Sequence, residues 1–339
     1  MTTPTIPLQR LKPPRPQRQS GFTLIEMMIS ITIGLAILAG LVGVLATNSS
    51  NSKTNDRTSE LMTTGRYALN SMKQELREAG FRGYTWAEPS TPSPWTAVAN
   101  GTGCFGTEGG ASANGFVINI RQGVWGSNNA NPFAATCLPD ARYVAGSDVL
   151  VVRRLAVLPT SALLAANTVY FRTIYERGQL FRSTVGVPVP PPFTGSTQLA
   201  STFEVQIFVY YVSPFTVSAA ETPLVPSLRR MTLQTAGANA GTMVDELVAS
   251  GIERMQVQYG RLTTAPDTQY LNTVAGTSSD ALETAWDEVN SVRIWLLARN
   301  TTAEPGLSNT TTYAMGDANF TAGDNFRRQL FTTVVQLRN

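Results

Sequence analysis

Glu26 is the one charged residue between Arg18 and Lys53, and it lies inside the apolar run of residues 20–46. An acid at the middle of a membrane helix costs about 3 kcal/mol, and less towards the interface, so it calls for a partner or a route to water. The sequence can supply a partner. Gly21 and Phe22 stand at the junction between a basic, proline-rich leader and the apolar run. Cleavage after Gly21 would free an α-amino group on Phe22, largely cationic because such amines titrate near pH 7.7–8.0. That amine lies one helical turn from Glu26. If the amine of one subunit meets Glu26 of the next, the pair attracts by ~4 kcal/mol at 4 Å and an effective dielectric near 20. The alternative is that Glu26 snorkels to the membrane surface alone.

Little else in the chain offers chemistry. There is no histidine, which removes the commonest general base and metal ligand and every Ser-His or Cys-His nucleophile. The acid pairs Asp245/Glu246 and Asp287/Glu288 point in different directions on a helix or a strand. They read as solvated loop or helix-start residues. No Walker loop, GxSxG elbow or GxGxxG unit is present, so no catalytic residue, cofactor or metal is assigned. Cys104 and Cys137 are the only cysteines, without a CxxC-type neighbour. In an oxidising compartment they can pair, closing a loop worth about 3–4 kcal/mol in the chain-entropy model. Trp86, Trp95 and Trp125 are the only hint of a sugar- or ligand-binding head, and ordinary packing explains them better.

The apolar run is long enough to span a bilayer, since about 20 residues at 1.5 Å each cover a core of roughly 30 Å. An ordinary secretory signal cut after Ala46 would need a shorter core and no acid; an uncleaved anchor is the other plain reading. Arg10, Lys12, Arg15 and Arg18 precede the span, so the leader stays cytoplasmic and the bulk of the chain is exported. The formal charge of +3 comes from 26 basic and 23 acidic residues. Removing residues 1–21 takes away four basic groups and leaves 22 against 23. With no basic patch interleaved with aromatics, no nucleic-acid partner is indicated.

After a polar stretch at 47–60, Leu61, Met62, Gly65, Ala68, Leu69, Met72, Leu76 and Ala79 resume a 3.6-residue period. Gly80 is a natural stop. A near-continuous helix over 22–79 is expected, about 87 Å long at 1.5 Å per residue, with Gly34, Gly40 and Gly43 as bend points. From Gly80 onward the texture is β-rich. Strands are expected at 115–120, 148–153, 168–175, 203–212, 227–234, 252–259, 289–298 and 329–337. Alternations such as Val205/Ile207/Val209 and Val292/Ile294/Leu296 predict antiparallel sheet with one solvated face. Residues 85–114 and 121–146 read as loops. Residues 185–193 (VGVPVPPPF) read as a stiff connector that could divide two lobes.

Gly21-Phe22-Thr23-Leu24-Ile25-Glu26 resembles the processing motif of type IV prepilins and of type II secretion pseudopilins. The resemblance implies a prepilin peptidase that cuts after Gly21 and methylates Phe22, with Glu26 as the assembly residue. The leader of 21 residues is on the long side for this family. Residues 246–259, 289–299 and 326–339, with ELREAGF at 75–81, resemble the PilW family of minor pilins, related to minor pseudopilin J of type II secretion. That implies an α+β, pilin-like fold: a leader at 1–21, a transmembrane half-helix at 22–46, a periplasmic half at 47–80, and a β-rich head at 81–339. It further implies an inner-membrane precursor that joins other minor pilins and the major pilin, helps initiate assembly at the pilus tip, and holds a large adhesin. The rivals are a type II secretion pseudopilin and a membrane-tethered periplasmic enzyme or carbohydrate-binding module. Arg327, Arg328 and Arg338 read as strand-end residues facing solvent.

Overall fold

The computed structural model describes residues 21–85, 89–90, 104, 120, 122–160, 164–183, 193, 195–262, 268–274 and 285–338. The leader up to Ser20, Trp86, Trp95, all but Ile120 of the strand expected at 115–120 and most of the 185–193 connector lie outside them. The chain divides into two units, Met1–Asp56 and Arg57–Asn339.

One helix, α1 (Leu24–Arg77), runs from the first unit into the second and is continuous through Gly34, Gly40 and Gly43. Its first part is long and apolar enough to cross a membrane, and none of its apolar side chains from Leu24 to Leu45 is buried. Its last part buries Leu61, Gly65, Ala68, Met72 and Leu76 at the expected helical spacing.

The head carries one large sheet. Its strands are β1 (Pro89–Ser90), β2 (Val124–Ser127), β3 (Val149–Leu155), β4 (Val169–Ile174), β5 (Arg177–Arg182), β6 (Ser201–Ser213), β7 (Ser227–Leu233) and β8 (Met243–Ser250). The pairings are antiparallel except β1 with β5. β4 and β6 pair across the 185–193 connector, so strands on both of its sides share a sheet. The later strands are β9 (Ile252–Leu262), β10 (Thr268–Leu271), β11 (Val289–Arg299), β12 (Thr312–Met315), β13 (Ala318–Thr321) and β14 (Arg328–Gln336). A second antiparallel sheet has the order β10-β9-β11-β14, and β12 and β13 form a hairpin.

Two expectations need correction. The central strands do not keep a solvated face: every residue of β3 is buried. One face, with Leu150, Val152, Phe208 and Tyr210, joins α1 and the second sheet in one core. The other, with Val149, Val151, Ile207 and Val209, packs with Phe133, Leu138 and the disulfide of Cys104 and Cys137, whose Cα atoms are 4.8 Å apart. Strands buried on both faces read as near-continuous apolar runs, which is how VLVVRRL reads. The span 121–146 is also not all loop, since it contains β2, where Trp125 packs between Phe133 and Trp286 in tilted contacts at centroid distances of 6.1 Å.

α1 meets the two sheets differently. On one flank Glu75 and Glu78 pair with Arg154 of β3 at 2.6 and 2.7 Å. Elsewhere Gly65 lets the helix close on β14, because a Cβ there would overlap the ring of Phe331. Gly65→Ala is therefore expected to destabilise the head by about 1–3 kcal/mol through overpacking. Helix propensity alone would favour Ala by up to ~1 kcal/mol. Urea unfolding should show the loss, and Gly65→Ala with Phe331→Leu should recover most of it; a stabilised Gly65→Ala protein would contradict this contact.

Candidate functional site

The site begins where α1 begins. Thr23 precedes the helix, and its side-chain Oγ1 accepts the backbone N–H of Glu26 at 3.3 Å. In return Glu26 Oε2 accepts the backbone N–H of Thr23 and the Thr23 hydroxyl, each at 2.9 Å. This is a reciprocal capping box, Thr-x-x-Glu, in which the Glu26 N–H also reaches the Thr23 carbonyl at 3.1 Å. The signature is legible in Thr23-Leu24-Ile25-Glu26, yet reading Glu26 only as a charge in a membrane overlooks it. The box is worth about 0.5–2 kcal/mol of helix stability, and it fixes where the carboxylate sits.

Around the box the chain is open. Phe22 is 85% exposed, and nothing approaches the position a Cβ would take on Gly21. The Gly21–Phe22 bond lies just ahead of the first helical turn, outside any helix or strand. An amine freed on Phe22 would sit beside the capped carboxylate.

The other candidates resolve into structure. Asp245 and Glu246 are not solvated loop or helix-start residues; they lie in β8. Asp245 is clamped by Arg229 at 2.7 Å and Arg142 at 2.9 Å and accepts the Tyr211 hydroxyl at 2.7 Å. Glu246 pairs with Arg230 at 3.0 Å. Glu288 pairs with Arg261, and Asp287 lines a cavity of about 300 Å³ with Arg82, Trp286 and Arg338. Among the described residues no group of three or more His, Cys, Asp or Glu could hold a metal ion.

Arg328 also differs from its expected place at a solvated strand end. Its side chain is 1% exposed. All five guanidinium N–H groups are used: Nε and Nη2 donate to Glu253 at 2.6 and 3.1 Å, Nη1 and Nη2 to Asp324 at 2.6 and 2.7 Å, and Nη1 again to the Phe326 carbonyl at 3.3 Å. Burial works against its charge, but the carboxylates of Asp324 and Glu253 outweigh it and hold the pKa well above the ordinary arginine value. Arg327 pairs with Glu304 at 3.0 Å, and Arg338 is exposed.

Two family models match the chain: Type IV Pilus-assembly protein W over residues 209–339, and Prokaryotic N-terminal methylation motif over residues 16–42. No curated protein and no solved structure matches it. The shorter stretch contains Gly21, Phe22, Thr23 and Glu26; the longer runs from within β6 through β14.

Proposed function

We propose that this PilW-like, type IV prepilin-like chain is a minor pilin processed between Gly21 and Phe22 and assembled through Glu26. Membrane anchoring by the apolar helix is the premise. In the proposed sequence of events the precursor enters the inner membrane with its head in the periplasm. Prepilin peptidase then cuts after Gly21 and methylates the new amine of Phe22. The mature subunit joins other minor pilins in a small complex that primes pilus assembly, stays at the tip and holds a large adhesin. The observation that carries this reading is the methylation motif at the start of an apolar, membrane-length helix.

The energetics favour assembly by the same residues. Moving an apolar helix from lipid into a bundle of like helices changes its hydrophobic environment little, so packing and polar pairing set the geometry. A carboxylate already held by its own capping box loses less freedom on meeting the amine of a neighbour.

Intact mass and N-terminal sequencing of the membrane-extracted protein test the reading. The expected start is N-methylated Phe22; a start at Thr47 or an intact N-terminus, in cells with active prepilin peptidase, would overturn it. Three substitutions then separate the roles of the site. Glu26→Ala should leave cleavage intact and lose co-purification with other pilins. Glu26→Gln keeps an N3 acceptor for the box and should lose assembly nearly as completely. Thr23→Ala keeps the charge and should retain most of it. Assembly by Glu26→Gln at the native level would mean that the cap, not the charge, is what matters.

A further inference from the structure

The second sheet ends in an open strand. β14 is the outermost strand of the order β10-β9-β11-β14. Its register on β11 runs from Ser291–Gln336 to Arg299–Arg328. Just beyond the ends, Asn300 N–H donates to the Arg327 carbonyl and Leu337 N–H to the Asn290 carbonyl. Bonded and non-bonded pairs alternate in an antiparallel ladder, so odd-numbered residues from 327 to 337 bond to β11 and even-numbered ones face away. The backbone N–H and C=O groups of Thr332, Val334 and Gln336 therefore line a free edge, and no described residue pairs with them. Leu330-Phe331-Thr332-Thr333-Val334-Val335 has high strand propensity and no Lys, Glu or Pro. Natural proteins blunt an unused edge with such residues.

A basic wall stands beside that edge. α1 and β14 run side by side, from the Gly65–Phe331 contact to a groove of about 440 Å³ lined by Asn70, Lys73, Gln74, Arg77, Glu78 and Arg338. Arg66, Asn70, Lys73 and Arg77 recur at i, i+4, i+7 and i+11, one flank of the helix. Glu78 is already paired with Arg154, whereas Lys73, Arg77 and Arg338 have no ion-pair partner among the described residues.

We infer that β14 is a docking edge for an acidic extended segment of another polypeptide, which adds as a fifth strand between Val334 and the Lys73/Arg77 flank of α1. Backbone bonds to Thr332, Val334 and Gln336 supply register, as in strand addition generally. Side chains alternate across an added strand. Those on the Phe331/Val335 face lie towards the helix and should be Asp or Glu; those on the Val334 face should be Val or Thr. The inference does not depend on the pilus reading.

The test uses the full chain in detergent micelles and a fluorescein-labelled nonapeptide that alternates Glu with Val and Thr, followed by anisotropy. Saturable binding is expected, weakened about tenfold or more, ~1.4 kcal/mol, by Lys73→Glu with Arg77→Glu. Binding should be lost with a Lys-for-Glu peptide, and with a peptide N-methylated at every second residue, which keeps the charge but blocks the ladder. No binding of the acidic peptide would overturn the inference. So would binding that survives N-methylation, which would be plain charge adsorption. Sedimentation that shows a dimer dissolved by Val334→Pro would also overturn it, because the edge would then belong to a second copy.

Discussion

Arg328→Ala should cost the head about 3–5 kcal/mol, because it leaves the carboxylates of Glu253 and Asp324 without the cation buried between them. The side chain is 1% exposed, with contacts of 2.6 Å to each acid, and no water can replace five directed donors. Arg328→Lys should recover little, since an ammonium cannot match two carboxylates in a planar, bidentate array. The neighbouring Arg327→Ala is the internal control. Arg327 pairs with Glu304 from a third-exposed position, and such pairs are worth less than about 1 kcal/mol. Thermal unfolding of the full chain in detergent should lower the midpoint by about 10 °C for Arg328→Ala and by a few degrees at most for Arg327→Ala. Equal losses at the two positions would show that the buried array does not hold β9, β14 and residue 324 together.

Raising the pH from 5 to 8 should weaken the fold by about 3 kcal/mol through Asp148 alone. This residue sits just ahead of β3 and ties it to β9: its N–H donates to the Met255 carbonyl at 2.9 Å, and its carboxyl accepts the N–H of Asn129 at 2.8 Å and of Val257 at 2.7 Å. Burial pushes its pKa up to about 7; the two backbone N–H groups pull against that shift and the nearby Asp317 adds to it. Tyr143 and Tyr259 also lie close enough to feel its charge. The folded carboxyl thus holds its proton over a window, from about pH 4 to 7, in which the unfolded one has lost it. Stability from this group is full below pH 4 and is lost as the pH rises through 7. The chain has no histidine, and among the described residues Glu204 is the other carboxyl raised by burial. Asp148→Asn should flatten the dependence while losing one backbone bond, because an amide nitrogen cannot accept an N–H. An unchanged slope in Asp148→Asn, measured by urea unfolding at both pH values, would assign the titration elsewhere.

The N-terminal motif is legible in the sequence because its residues are local. Gly21, Phe22, Thr23 and Glu26 lie within six consecutive residues at the start of α1, and an apolar run of membrane length needs no tertiary context to be recognised. The helix face of Leu61, Gly65, Ala68, Met72 and Leu76 was equally plain, because a 3.6-residue period is a property of the chain itself. The family stretches at 16–42 and 209–339 likewise rest on contiguous residues.

What the sequence could not supply was which strands share a sheet and which faces are covered. Alternation in β6 looks the same whether its second face meets water or the residues around Cys104 and Cys137. A free edge exists only once the order β10-β9-β11-β14 is known, and Lys73 and Arg77 become its neighbours only when α1 lies along β14. Arg328 reads as a polar strand end until Glu253, 75 residues earlier, is brought against it. Asp148 reads as the first residue of a strand until β9 brings the Val257 N–H against its carboxyl. Each of these depends on contacts between distant residues, and burial and electrostatics follow from three-dimensional neighbours that a local pattern does not encode.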